Sequence, residues 1–256
     1  MQDKYVGDVG DFGKFLILRQ VQRLAGRQLC LGVNWYTVTL PEPGSKDGRH
    51  VEYQDDRRDD APRFMVCDPE LRHALSRLVG ENRRRISDLE RANILSGSAL
   101  YFSDSIPYGA FPLDLRIEQR TRWFEKSRKS LQAAQVVFLN PDNGVQTSKI
   151  KKTQTRSVKY AFADEIKGYF EDGKMVIVYN HRDHSPIETY ATRFRETLNH
   201  VGRTARLRVL PFGSFSARDY AFFYRDSQAL LVNDLFKKLT AGPSDFLFSE
   251  TGVPGL

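Results

Sequence analysis

The segment AQVVFLNPDNG, Ala134 to Gly144, limits the possible folds more than any other part of the chain. Its apolar run from Val136 to Leu139 has no polar interruption, which is the pattern of a short strand covered on both faces. Asn140, Pro141, Asp142, Asn143 and Gly144 then end the run abruptly, and these are residue types that make tight turns. A strand buried on both sides needs helices above and below it. The rest of the chain supplies them.

Strands are expected at QLCLGVNWYT (28–37), SALYFSD (98–104) and KMVIVYN (174–180). Three- and four-residue apolar spacings predict helices over 12–24, 69–79, 81–93, 117–132, 161–170, 187–201 and 227–239, with Trp123 and Leu131 facing inward. Two further strands, 205–211 and 218–225, are too close together for a helical crossover and are expected to pair antiparallel at a sheet edge. The fold class is therefore α/β: a mostly parallel sheet with helices on both faces and an antiparallel edge pair. One domain spans 1–256, with 38–97 read as a loop and helical insertion because its first part is rich in Pro, Gly and mixed charge.

Composition narrows the function classes. A chain of 256 residues buries a full core without staples, and its two cysteines, Cys30 and Cys67, show no metal-binding or disulfide spacing. No apolar run approaches the roughly 18 residues of a membrane span, and the polar start MQDKYVGDVGDFGK is unlike a secretory signal, so a cytoplasmic location without membrane contact is expected. The net charge of +7 permits a polyanionic partner. Phosphate-loop, dinucleotide, serine-hydrolase and zincin motifs do not occur in the sequence.

In open α/β sheets ligands bind outside the carboxyl ends of the strands. That rule selects Asn140, Asp142 and Asn143, then His181 in YNHRDH, then Trp35 and Tyr36. DKYVGDVGDFGK adds Asp8, Asp11 and Lys14 with three glycines that allow close backbone approach, although an aspartate there also serves as a helix cap. Lys149, Lys151, Lys152, Arg156 and Lys159 follow the NPDNG turn with no acidic residue among them, which suits a nucleic-acid backbone.

The order of elements resembles Rossmann-like methyltransferases, particularly those that methylate the amino group of adenine. In that family a buried strand ends in an Asp/Asn-Pro-Pro-aromatic motif, and NPDN at 140–143 occupies the equivalent place. The resemblance implies that Asn140 accepts a hydrogen bond from the target amino group. Asp142 stands where the second proline would be and Asn143 where the stacking aromatic would be. Among ribosomal-RNA adenine methyltransferases an Ala-Asp-x-x-Lys start is similar to GDFGK, which would place Asp11 and Lys14 near the methionine part of S-adenosylmethionine. After the first strand that family carries a glycine-rich loop, whereas this chain carries NWYTVTLPEPGSKDG. The chain also resembles a group of bacterial proteins sharing GDxGDFxK, WY and PDNG.

Three functions are compatible with these residues. In the first, a nucleic-acid methyltransferase uses S-adenosylmethionine, with Asn140 and Asp142 orienting the base, Trp35 or Tyr36 lining the pocket, and the 149–159 segment holding phosphates. In the second, a nuclease or phosphohydrolase binds magnesium or manganese through Asp142, Glu165 and His181. The third is a nucleic-acid-binding protein without turnover.

Overall fold

A computed structural model describes residues 1–26, 28–38, 48, 50–95, 97, 99–106, 108, 111–213 and 217–250. Residues 39–47 and 49 of the polar passage after the first strand, and Ser98 at the start of the second, lie outside the described residues.

Among the described residues six strands form one sheet in the order β2-β1-β3-β6-β8-β7: β1 (Leu31–Asn34), β2 (Leu100–Phe102), β3 (Val136–Leu139), β6 (Met175–His181), β7 (Arg206–Phe212) and β8 (Arg218–Tyr224). The first four run parallel to one another, and β8 pairs antiparallel with both β6 and β7. The expected antiparallel pair is thus present, and only β7 lies at the edge. β8 is wedged between β7 and the parallel strands.

Alternation along each strand feeds two apolar layers. Val136, Phe138, Met175, Ile177 and Phe222 point into one, and Val137, Leu139, Val176, Val178 and Phe223 into the other. The first layer is closed by α1 (Val9–Ala25), α3 (Pro69–Gly80) and α8 (Ala229–Thr240), the second by α5 (Arg116–Ser130), α6 (Ala163–Glu171) and α7 (Ile187–Val201). Trp123 and Leu131 are buried in the second layer as their spacing predicts. This two-sided cover explains why the β3 run contains no polar residue.

Inside the 38–97 stretch, α2 (Ala61–Cys67) forms where the sequence reads as loop, and the helix expected over 81–93 contracts to α4 (Ile86–Arg91). Proline near the start of α2 suits a first helical turn, and Phe64 drives the segment inward against Phe12, Tyr53 and Phe246. No helix among the described residues is long and apolar enough to cross a membrane.

Beyond β3, the short strands β4 (Gly144–Val145) and β5 (Tyr160–Ala161) pair parallel to each other. They clamp the two ends of the basic segment to the NPDNG turn.

Candidate active site

β1 has β2 on one side and β3 on the other, so the direction of strand order reverses between β1 and β3. The carboxyl ends of β3 and β6 open beside this reversal onto a cavity of about 230 Å³. Residues distant in sequence converge on it: Asp8, Gly10 and Lys14 from the start of α1, Asn140, Asp142 and Asn143 from the turn after β3, Tyr179 and His181 from β6, and Arg218 from β8.

The start of α1 is built by reciprocal capping. Asp11 N donates to Asp8 Oδ1 at 3.0 Å and Gly7 N donates to Asp11 Oδ2 at 2.8 Å. Asp11 Oδ1 lies 2.7 Å from Lys14 Nζ, so Asp11 holds the lysine and does not itself line the cavity. The glycines of this segment serve packing within the protein. A Cβ at Gly10 would stand 2.8 Å from Arg218 Cζ, and one at Gly13 would stand 2.5 Å from the Phe212 ring.

Asn140 is positioned by its backbone, whose N–H donates to Asn34 O at 3.0 Å, continuing the β1–β3 pairing past the strand. Its side-chain Nδ2 is buried and has no partner among the described residues. Asp142 forms an ion pair with the amino group of Met1 at 2.7 Å and accepts from Gln2 Nε2 at 2.8 Å. The same amino group donates to Tyr36 O at 2.8 Å and Asn140 O at 3.3 Å, between the ends of β1 and β3. Burial lowers its pKa, and the Asp142 carboxylate acts in the opposite direction. Burial likewise raises the pKa of Asp8, against the pull of Arg218.

Asn143 N donates to Lys159 O at 2.9 Å, which ties the turn to the end of the basic segment. Within that segment Lys149, Lys151 and Arg156 are exposed and make no ion pair among the described residues. Lys152 instead pairs with Asp164 beside the Phe162 ring, and Lys159 is half-buried with its pKa lowered by that burial. The run of five cations therefore offers three to a partner.

The strand-end rule does not bring every predicted residue into the cavity. Trp35 is fully buried on the α1 side, where Nε1 donates to Glu90 at 2.8 Å and the ring stacks on Tyr101 at 6.1 Å. Tyr36 turns to the other side of the sheet, where its hydroxyl donates to Glu165 at 3.0 Å. Its φ of 48° is unusual for a bulky residue, and the turn leaves its carbonyl, not its ring, at the strand ends. Glu165 is also committed, accepting from Arg120 Nη2 at 3.0 Å and from Phe162 N at 3.0 Å, and does not line the cavity. The triad Asp142, Glu165 and His181 is thus not assembled, and the described residues contain no group of three His, Cys, Asp or Glu side chains placed to hold a metal ion.

Tyr179 belongs to the strand end that the rule selects with His181, whereas Arg218 was not among the predicted residues. Because β8 is antiparallel to β6, its first residue, Arg218, stands opposite His181, the last residue of β6. The amino end of an inserted antiparallel strand reaches the same rim as the carboxyl ends of its neighbours. RDY at the start of a strand expected to run antiparallel was the available signal.

The sequence matches no protein-family model and no curated protein.

Proposed function

We propose that the cavity is the active site of a nucleic-acid-directed methyltransferase that uses S-adenosylmethionine and acts on a base amino group. The observation that carries this reading is the meeting of two separate motifs, Asp8 to Lys14 and Asn140 to Asn143, in one cavity at the strand ends. A Rossmann-like sheet with helices on both faces supports it.

The donors and acceptors present fit the amino-acid end of that cofactor. Lys14 offers a cation for a carboxylate and Asp8 a carboxylate for an ammonium group, side by side at the start of α1. When bound, the cofactor supplies an electrophilic methyl group. Asn140 would accept a hydrogen bond from the target amino group through its side-chain oxygen and so aim the nitrogen lone pair. His181, which lines the rim, would take the proton that the nitrogen loses. The amino group of a base within a duplex is stacked and paired, so the target base must leave its stack to reach the cavity.

Calorimetric titration tests the reading. S-adenosylmethionine should bind the wild-type protein, and Asn140→Ala should lower methyl transfer by about a hundredfold or more while leaving cofactor affinity within a few fold. No binding at millimolar cofactor would remove the proposal.

The exposed cations next to the turn are assigned to the phosphate backbone. Replacing Lys149, Lys151 and Arg156 with glutamine should weaken nucleic-acid binding and reduce the slope of log affinity against log salt by roughly 2. Replacing Lys152 alone should change that slope little, since Lys152 is already paired with Asp164. Equal slopes for the triple variant and the wild type would remove this surface from the account.

A further inference from the structure

The charged groups around the cavity are unequally satisfied. Lys14 has Asp11 at 2.7 Å and the Met1 amino group has Asp142 at 2.7 Å. Arg218 has no such partner. Its side chain is only 8% exposed, and the nearest carboxylate oxygen among the described residues, Asp8 Oδ2, is 3.8 Å from Nη2, too long for a hydrogen bond. Nε and Nη1 are buried without a hydrogen-bond partner among the described residues. A guanidinium carries five N–H donors, accepts nothing and does not give up its proton in proteins, so these donors call for an acceptor from outside the described residues.

The surroundings indicate what kind of acceptor. Arg218 lies against the first turn of the 17-residue helix α1, where the backbone dipole favours negative charge, and the missing side chain of Gly10 makes the approach possible. The unpartnered Asn140 Nδ2 is a second buried donor lining the same cavity. Lys14 Nζ also reaches the wall, its charge shared with Asp11 at 2.7 Å. We infer that Arg218 is a recognition residue for an oxyanion, a carboxylate or phosphate group carried by the ligand that occupies this cavity. The planar guanidinium suits either group, since both present paired oxygens to its fork. The inference takes the site's location from the proposed function but does not depend on which reaction occurs there.

The test compares ligand pairs that differ by the anion alone, AMP against adenosine and methionine against methioninol, each titrated calorimetrically into the full chain. The first pair reads a phosphate and the second a carboxylate. In at least one pair the oxyanion-bearing member should bind tenfold or more tightly than its counterpart. Arg218→Gln should erase that preference, and Arg218→Lys, which keeps the charge but not the fork, should retain part of it. The wild-type comparison needs no variant and remains decisive should Arg218→Gln fail to fold. The inference is overturned if neither pair discriminates, if no anionic probe binds at millimolar concentration, or if folded Arg218→Gln keeps the full preference. Anion preference without S-adenosylmethionine binding would remove methyl transfer and leave the oxyanion site standing. Cofactor binding with no preference in either pair would do the reverse.

Discussion

Arg120→Met should destabilise the protein by about 3–5 kcal/mol, because it leaves a buried carboxylate without its counter-charge. Arg120 and Glu165 are each 1% exposed. The guanidinium donates to both Glu165 oxygens, to Ser157 O at 3.0 Å and to Tyr160 O at 2.7 Å, and it lies 4.4 Å from the centre of the Phe162 ring. Methionine fills much of the volume and supplies none of these donors, so one charge and two backbone carbonyls lose their partners. Removing the whole pair with Arg120→Met and Glu165→Leu together should recover a good part of the loss, since replacing a complete buried ion pair by apolar residues is often nearly neutral. Urea unfolding measures both, the midpoint moving while the slope stays constant. A single variant as stable as the wild type would show that the pair is not buried as described. The effect should also reach the basic segment, because Ser157 and Tyr160 close its far end. Limited proteolysis should cut 149–160 faster in Arg120→Met than in the wild type.

The second large effect is expected at Gly144, and it joins the turn after β3 to the strand beside it. Gly144 has φ 104°, a region L side chains rarely adopt. A Cβ there would stand 2.5 Å from Asn180 Cγ and 2.7 Å from Asn180 Cα, inside van der Waals contact with both side chain and backbone. Asn180 cannot move away cheaply. Its Oδ1 accepts from Val145 N at 2.8 Å, and its Nδ2 donates to Tyr190 OH at 2.6 Å. Tyr190 OH in turn donates to the buried Asp219, which Arg182 also binds at 2.6 Å and 3.0 Å. Gly144→Ala should therefore cost about 2–5 kcal/mol, from backbone strain of ~1–2 and buried hydrogen bonds of ~1–3. A thermal-melting midpoint unchanged from the wild type would contradict the geometry of this turn. Because β4 starts at Gly144, whatever folded Gly144→Ala remains should also bind nucleic acid more weakly.

The parallel sheet was legible because strands covered on both faces leave a distinct mark, an apolar run with no alternation. VVFL at β3 and MVIVY at β6 carry it. The cavity was legible through the strand-end rule, which named Asn140, Asp142, Asn143 and His181, and through the glycine and aspartate pattern at Asp8 to Lys14. The same rule picked Trp35 and Tyr36, whose side chains leave the strand end in opposite directions. Sequence patterns locate a residue along the chain but not the rotation of its side chain once the strand stops, and the positive φ of Tyr36 changes that rotation. Glu165 reads as a free carboxylate beside a basic segment. Its neutralising partner, Arg120, lies 45 residues earlier on another helix, beyond the reach of any local pattern. Arg218 was missed because the rule concerns carboxyl ends, and an antiparallel strand brings its amino end to the same rim. α2 was missed because seven residues bearing one large inward side chain show too little periodicity to register.

The most direct test of the central claim is methyl incorporation. Wild-type protein would be incubated with isotopically labelled S-adenosylmethionine and separate pools of DNA and RNA, and the nucleosides resolved by mass spectrometry. Label should appear on a base amino group in one pool and fall by about a hundredfold or more with folded Asn140→Ala. Absence of label from both pools, or equal labelling by wild type and Asn140→Ala, would contradict the assignment of this cavity to methyl transfer.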